Sequence, residues 1–322
     1  MTTKVFNQKN ISLYAPVLLL AILFCLASLR FPGFFNPAVI TNLIDDNAFL
    51  GIAAVGMTFV IISGGIDLSV GSMVALTSIL SVILIERYHL NPAVVFSLML
   101  LLGLLCGSIL GALIAVFEIA PFLVTLAGMF FLRGMAYYFS QESIPLIHPG
   151  IQWFSSLKIP LGLAALPPTG FLFLLVVLAG IYLATWTGFG RSIFAVGGNP
   201  LSAKLMGLPV RRTTILIYAL SGMLSALAGV VYTIYTSSGN ATAAMGLELD
   251  VIAAVVIGGT LLSGGRGSVF GTMIGVFILG LIQTIITFEG TLSSWWTRIV
   301  IGILLFFFVG LQKLLSIIIK KK

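Results

Sequence analysis

The sequence predicts an all-α membrane protein with about ten transmembrane helices. Three observations lead to this prediction: charged residues make up only 8% of the 322 residues, hydrophobic residues make up 59%, and long apolar runs separate the few charges. A bilayer core about 30 Å thick needs roughly 20 mostly apolar residues for each helical crossing. A soluble protein of this composition would have too little polar surface to face water. Because the apolar runs are continuous and do not alternate every second residue, they exclude a β-barrel.

The apolar runs define the predicted crossings. We expect them near 13–29, 48–64, 69–85, 93–117, 121–139, 170–187, 214–236, 249–263, 267–287 and 296–317. Only a glycine-rich break separates the neighbouring spans around 64–69 and around 263–267. The first run follows Lys4 and Lys9 as in a signal peptide, but it is long and no small-residue cleavage site follows it. We therefore expect it to remain as the first helix.

Basic residues set the predicted orientation, because Lys and Arg are enriched in cytoplasmic loops. With ten crossings and a cytoplasmic N-terminus, most basic residues fall inside: Lys4, Lys9, Arg191, Lys204, Arg211, Arg212, Arg266, Lys313, Lys320, Lys321 and Lys322. Fewer fall outside, namely Arg30, Arg87, Lys158 and Arg298. Both termini are thus expected in the cytoplasm, within one domain spanning 1–322 that has an outer loop at about 140–169 and an inner loop at about 188–213. The net charge of +7 does not indicate nucleic-acid binding, since these residues do not cluster on one face.

The break at 63–72 is the first segment whose residues could have a chemical function. Two glycines end one apolar run, and an Asp and a Ser begin the next. A carboxylate at mid-membrane costs roughly 2.5–3.5 kcal/mol on insertion scales, so it is seldom without a role. One interpretation is that Asp67 or Ser69 caps the following helix. The other is a polar pathway lined by Gly64, Gly65, Asp67 and Ser69; the two are compatible, because a broken helix is tolerated where it lines a cavity or packs on protein.

A second break at 258–268 repeats the pattern Gly-Gly-x-x-Leu-Ser-x-Gly of 64–71. Internal duplication and paired glycine-interrupted spans are typical of transporters, and they point to the passage between the two halves. Gly258, Gly259 and Ser263 are therefore further candidates for a helix break or a pathway. Chance, or simple packing of small residues, is the alternative interpretation.

The inner loop is predicted to carry a short helix over 201–206 across the cytoplasmic face. Asn199 can cap this helix with Pro200 at its first position, which is a favoured start, and Gly207 would end it. Such a helix is more than a connector requires, so we interpret it as a docking segment for a soluble partner; an amphipathic turn resting on the membrane is the alternative. The candidate coupling residues are Gly198, Asn199, Pro200, Ser202, Lys204 and Gly207.

Several chemical signatures are missing from the sequence. It contains no Gly-x4-Gly-Lys-Ser/Thr loop for nucleotide phosphates, no HExxH and no Gly-x-Ser-x-Gly. We therefore predict no catalytic residue, no metal site and no cofactor in this chain. Arg133 lies within an apolar run, where it is expected to snorkel, to pair with an acid on another helix, or to contact a substrate.

Together these segments resemble the carbohydrate-uptake permeases of ATP-driven (ABC) importers, the family that includes the ribose and galactose permeases. The segment at 63–72 is the most specific similarity, 198–200 resembles the segment that docks the ATPase, and 257–267 is similar to the late glycine motif. Within that family, 125–134 and 290–297 resemble one of the two permease subunits of the galactofuranose importer.

The resemblance implies a fold, an assembly and a location. The fold would be the helical permease of vitamin-B12 and branched-chain amino-acid importers, set in the bacterial inner membrane. The partners would be a second, different permease chain, a cytoplasmic ATPase that holds ATP and Mg at two nucleotide sites, and a periplasmic sugar-binding protein. The family supplies no agreed set of sugar-contacting residues. The rival hypothesis is a secondary sugar transporter driven by an ion gradient, which would need intramembrane carboxylates such as Asp67 and Glu118.

Overall fold

A computed structural model describes residues 8–162, 164–291, 293 and 295–320 as a bundle of helices. The helices are α1 (Gln8–Arg30), α2 (Pro37–Asp46), α3 (Ala48–Ile62), α4 (Val70–Val82), α5 (Pro92–Phe117), α6 (Pro121–Phe139), α7 (Pro149–Ser156), α8 (Pro168–Trp186), α9 (Gly188–Gly198), α10 (Pro200–Leu205), α11 (Val210–Thr236), α12 (Leu247–Ile257), α13 (Val269–Glu289) and α14 (Trp295–Lys320). A π-helical stretch, Ile83–Arg87, extends α4. Lys4, Lys321 and Lys322, used above for the orientation, and Leu292 and Ser294 of the segment at 290–297 lie outside the described residues.

Many helix starts follow from local sequence. Proline stands in the first turn of α2, α5, α6, α7, α8 and α10, where its missing N–H costs nothing. Asn36, Asn91 and Asn199 precede α2, α5 and α10, and the side chain of each accepts a hydrogen bond from a backbone N–H in the first turn of its helix. Asparagine followed by proline is therefore a reliable start signal in this chain.

The all-α polytopic fold class is confirmed, and each predicted apolar stretch contains a helix. Six helical stretches in the described part of the chain are long and apolar enough to cross a membrane, and α2 with α3 forms a seventh candidate bent by 56°. The apolar parts of α1 and α14 are shorter. The predicted span 249–263 differs, because α12 ends at Ile257 after 11 residues. At about 1.5 Å per residue it is roughly half as long as a bilayer core is thick.

The core forms around α11, which packs against α3, α4 and α5. The side chains of α3 are buried almost throughout, as expected for a helix that is apolar on all sides. Gly103, Gly107 and Gly111 lie four residues apart on α5, and each meets the backbone of α11. A side chain at these positions would hold the two helices apart, so the small-residue spacing sets their distance.

The two predicted loops form structure at opposite ends of α8. The outer loop contains α7 and three short strands, β1 (Ile144–Pro145), β2 (Ile159–Leu161) and β3 (Ala164–Leu166). Strand β1 pairs with β4 (Ser238–Gly239), which follows α11, and β2 pairs with β3. The inner loop is mostly helical, because α9 occupies its first half and α10 follows at once. We call these the α7 end and the α10 end of the bundle.

Candidate functional site

The two glycine-rich breaks end their helices in the same way. After α3, Gly64 has φ +87° and donates to Ile61 O at 2.9 Å, while Gly65 donates to Val60 O at 3.0 Å. This pair of bonds is the Schellman motif, which needs a left-handed residue and therefore favours glycine. The break thus satisfies carbonyls of α3 that lipid would leave unpaired.

The second break repeats the motif one residue later than the sequence pattern indicates. Here Gly259 has φ +92° and donates to Val256 O at 2.9 Å, and Thr260 donates to Val255 O at 3.2 Å. The structural counterpart of Gly64 is therefore Gly259, whereas the sequence pattern aligns Gly64 with Gly258. Ser263 consequently does not correspond to Ser69, although both lie outside helices.

The two breaks and the end of α9 meet in a cluster that we call the glycine junction, formed by Ile62, Gly197, Gly264 and Gly265. The Gly265 N–H donates to Ile62 O at 2.8 Å, which joins the second break to the end of α3. A side chain on Gly197 would collide with Ile62 O and would lie 2.7 Å from Gly265 N. The backbone of α9 is thus in direct contact with both breaks. Two candidates named from the sequence lie beside it: a Cβ on Gly264 would be 3.0 Å from Gly64 Cα, and a Cβ on Gly265 would be 3.0 Å from Gly198 Cα. The sequence does not predict that they meet, and it does not identify Gly197, Gly264 or Gly265 as members of the junction.

Asp67 lies inside the first break and is only 2% exposed. One carboxylate oxygen accepts from Ser69 N at 3.0 Å and from Ser69 Oγ at 2.6 Å, and the other accepts from Ser221 Oγ on α11 at 2.8 Å. The Ser69 side chain does not cap α4. Of the two suggested caps, Asp67 is the one that binds an N–H at the start of α4, and it also links the break to α11. Ser221 was not identified from the sequence, because it lies 154 residues away.

Gly65 has a packing role beside this carboxylate. A side chain there would collide with the hydroxyl group of Tyr218, a residue that is 1% exposed. Thr125 Oγ1, on α6, donates to Ile66 O at 3.1 Å. In this conformation the first break thus contacts both α11 and α6, and packing on protein is one of the two settings in which a broken helix is tolerated at membrane depth.

Arg133 lies on α6 and holds the turn that precedes α12. Its Nη1 donates to Ala241 O at 2.8 Å and to Ala243 O at 2.7 Å. Its charge also interacts with that of Glu248 in the first turn of α12. Of the three roles expected for Arg133, the structure favours an interaction within the protein, mainly with backbone carbonyls.

The short helix α10 has the limits that the sequence predicts to within one residue. The Asn199 side chain accepts from Ser202 N at 2.9 Å, Pro200 begins the helix, and Gly207 takes φ +81° beyond its end. Ala203, within α10, is fully buried and faces the rest of the protein. Large apolar side chains point outwards: Leu201, Leu205 and Met206 are 67%, 81% and 70% exposed. We call these three residues the α10 apolar tip; Ser202 and Lys204 are exposed beside it.

Among the described residues, no three His, Cys, Asp or Glu side chains lie close enough together to hold a metal ion. The contacts observed at the glycine junction and around Asp67 are packing, backbone contact and hydrogen bonding. The exposed helix α10 follows α9, and α9 contacts both glycine-rich breaks at the glycine junction.

The chain is similar in sequence to several known proteins. The family described as "Branched-chain amino acid transport system / permease component" matches residues 39–309. The "Inner membrane ABC transporter permease protein YjfF" of Escherichia coli (strain K12) is 55% identical over 304 residues, which cover 94% of this chain and 91% of that protein.

Other relatives have names that include a sugar. The "Fructose import permease protein FruG" of Bifidobacterium longum (strain NCC 2705) is 36% identical over 95% of this chain and 92% of its own length. The "Ribose import permease protein RbsC" of Escherichia coli (strain K12) is also 36% identical, over 92% of this chain and 91% of its own length. No solved structure matches the chain.

Proposed function

Because the chain belongs to the family of permease components typified by branched-chain amino acid transport systems, we propose that it is the membrane permease of an ATP-driven monosaccharide importer. It moves the sugar, and a separate cytoplasmic ATPase with two nucleotide sites hydrolyses ATP with Mg. A second permease chain completes the channel, and a periplasmic binding protein delivers the sugar at the α7 end. The chain lies in the bacterial inner membrane with both termini and the α10 end in the cytoplasm.

The observation that carries this proposal is the α10 apolar tip. Exposed apolar patches on soluble surfaces mark sites of protein or membrane contact. Here Asn199 and Gly207 fix both limits of the helix, so the tip is presented in one orientation. The ATPase can bind such an apolar surface, and because α10 is joined to the helix bundle, a movement of the ATPase would displace α10 and the helices next to it.

The glycine junction supplies the route from the tip to the spans. Movement of α10 moves α9, and Gly197 on α9 is in backbone contact with Ile62 and Gly265. Close-packed backbone transmits displacement because it has no free volume in which to absorb it. ATP binding therefore shifts the ends of α3 and α12 together and opens the permease towards the binding protein. Hydrolysis then returns it to the starting state.

The sugar that we propose is galactofuranose. This choice rests on the segments 125–134 and 290–297, which resemble one permease of the galactofuranose importer. The relatives named for fructose and ribose import support the wider class, a single sugar unit.

The rival, a transporter driven by an ion gradient, lacks suitable carboxylates at the positions considered. Asp67 already accepts three hydrogen bonds. Glu118 follows the end of α5, its side chain is 79% exposed, and it lies 3.8 Å from Arg211 in an ion pair. Neither is a free intramembrane carboxylate available for ion coupling.

Reconstitution tests the proposal. The complex that co-purifies with the tagged chain is placed in liposomes with ATP on the α10 side, and uptake of radiolabelled galactose, ribose and fructose is measured. We expect uptake that requires ATP and the binding protein. Uptake by the chain alone, driven by a proton or sodium gradient, would overturn the proposal in favour of the rival.

A further inference from the structure

A cavity at the α7 end has the chemistry of a sugar site. It lies where α12, α13 and the start of α14 meet, has a volume of about 310 Å³, and is lined by Asp250, Gln283, Trp295, Thr297, Arg298 and Ile301. Small-molecule sites span about 300–1,000 Å³, so this cavity fits one small ligand. We call it the outer cavity.

Its lining combines an aromatic face with polar groups of complementary kinds. Trp295 is 69% exposed, and the Arg298 guanidinium carbon lies 5.6 Å from its ring centroid. Asp250 supplies acceptor oxygens, Arg298 supplies donors, and the Gln283 amide supplies both. A sugar presents hydroxyl groups around its rim and C–H groups on its face, and it needs this mixture of hydrogen-bonding groups and aromatic surface.

Thr297 gives independent support for a polar ligand at this site. Its residue is 8% exposed, and its Oγ1 is buried without a hydrogen-bond partner among the described residues. A buried hydroxyl without a partner costs free energy, so such groups are uncommon unless something binds them. A hydroxyl group of a bound sugar would satisfy it.

We propose that the outer cavity is the first site at which the permease holds the sugar after the binding protein releases it. This inference rests on the proposed function and adds a position and specific contacts to it. Trp295 packs against the sugar ring, Asp250 and Arg298 bind its hydroxyl groups, and Thr297 reads one further hydroxyl. The volume of the cavity, about 310 Å³, accommodates a single monosaccharide.

Helix α12 connects the outer cavity to the glycine junction. Asp250 lies in the first turn of α12, whose other end meets the second break at Gly258. The glycine junction holds that break against α9 through Gly265. A shift of α12 driven from the α10 end would therefore also move Asp250, which changes the outer cavity when ATP binds.

The other interpretation of the lining is that the aromatic residues anchor the protein at the membrane surface, where tryptophan is enriched. The adjacent Trp296 provides the matched control, because it is 47% exposed but does not line the cavity. If anchoring is the role, substitution of either tryptophan should have the same effect. If sugar binding is the role, only the Trp295 substitution should impair transport.

The experiment uses the reconstituted complex and measures sugar imported per ATP hydrolysed for galactose, ribose and fructose. Trp295→Ala and Asp250→Asn should each lower this ratio about tenfold, the loss expected for a central contact, while stimulation of ATP hydrolysis by loaded binding protein persists. Trp296→Ala should match the wild type. Thr297→Val keeps the shape of the side chain and should change the relative uptake of the three sugars.

Unchanged import per ATP in Trp295→Ala would overturn the inference, and so would equal losses in Trp295→Ala and Trp296→Ala. If the complex with Asp250→Asn does not assemble, Trp295→Ala and Thr297→Val still test whether the outer cavity binds sugar. Failure of the proposed function is distinguishable, since the wild-type complex would then import none of the three sugars with ATP.

Discussion

At the residue scale, Asp67 shows how a polar group can be accommodated in an apolar bundle. Its two carboxylate oxygens are divided between the break, through Ser69, and α11, through Ser221. A hydrogen-bonded carboxylate of this kind fixes the path of the chain between α3 and α4. In this conformation Asp67 therefore links the first break to α11.

Replacement of Asp67 by leucine should destabilise the protein. It leaves a buried N–H and two hydroxyl groups without their acceptor, at about 1–3 kcal/mol for each group that stays unpaired. Ser221→Ala removes one of these bonds and should have a smaller effect, and Ser97→Ala on the exposed face of α5 should have none. The midpoint of thermal unfolding of the purified protein measures all three. Equal midpoints for Asp67→Leu and the wild type would show that the network contributes nothing.

The sequence predicts the importance of Asp67 but not its partners. A carboxylate between two apolar runs indicates a special position from composition alone. The partner serine on α11 lies among other small residues with no distinguishing local pattern, and only the packing of α11 against the first break brings it near. Long-range contacts of this kind depend on the whole fold.

At the element scale, local rules predict some helices well and others poorly. The limits of α10 follow from Asn199, Pro200 and Gly207, because caps and stops act within one turn. The length of α12 does not follow from hydropathy, because the apolar run continues past the point where Gly259 takes a left-handed conformation. Hydropathy describes what lipid tolerates, whereas backbone conformation decides where the helix ends.

The close backbone contact at the glycine junction predicts that a side chain on Gly197 will disturb coupling. Gly197→Ala places a methyl group against Ile62 O and Gly265 N, so it should separate α9 from the breaks, with an overpacking cost of about 1–3 kcal/mol. We expect import and stimulated ATP hydrolysis to fall together while the complex still assembles.

Another glycine on α9 gives the control for this experiment. A methyl group on Gly188 would meet only the Arg191 side chain, at 3.8 Å, so Gly188→Ala should keep the junction intact. Co-purification of the ATPase and ATP-driven uptake are measured for both variants. Wild-type uptake by Gly197→Ala would contradict the proposed route through the junction.

The packing of α5 on α11 gives a second prediction for an element. Gly107→Ala directs a methyl group at the backbone of Tyr218 and Ala219, and we expect a loss of about 1–3 kcal/mol from overpacking. Gly134→Ala on α6 is the matched control, because its methyl group would meet nothing within 4 Å. A lower midpoint of thermal aggregation in detergent for the first variant alone is the expected result. Identical midpoints would mean that the two helices can move apart without cost.

At the scale of the whole molecule, the distribution of basic residues is the argument for orientation. Arg191, Lys204, Arg211 and Arg212 all belong to the segment that includes α9, α10 and the start of α11. Hydropathy and charge predict the membrane class and the order of the spans, since each crossing carries its own signal. They do not predict that the α10 end joins both breaks, because three separate segments of chain have to meet before that contact exists.

Orientation leads to a prediction that requires no partner protein. In a variant in which Cys25 and Cys106 are replaced by serine, Ser202→Cys on α10 should react with a membrane-impermeant maleimide only after the cells are opened. A cysteine at Trp153 on α7, which is 65% exposed, should react in intact cells whose outer membrane has been permeabilised. The reverse pattern would put α10 on the outside.

Binding of a soluble ATPase to α10 can be tested by cross-linking in intact cells. A photo-reactive amino acid at Leu205, which is 81% exposed at the α10 apolar tip, is irradiated in cells that express the whole complex. If the ATPase docks there, a covalent adduct with an ATP-binding protein forms and is identified by mass spectrometry. Adducts with lipid or with the binding protein, and none with an ATPase, would contradict it.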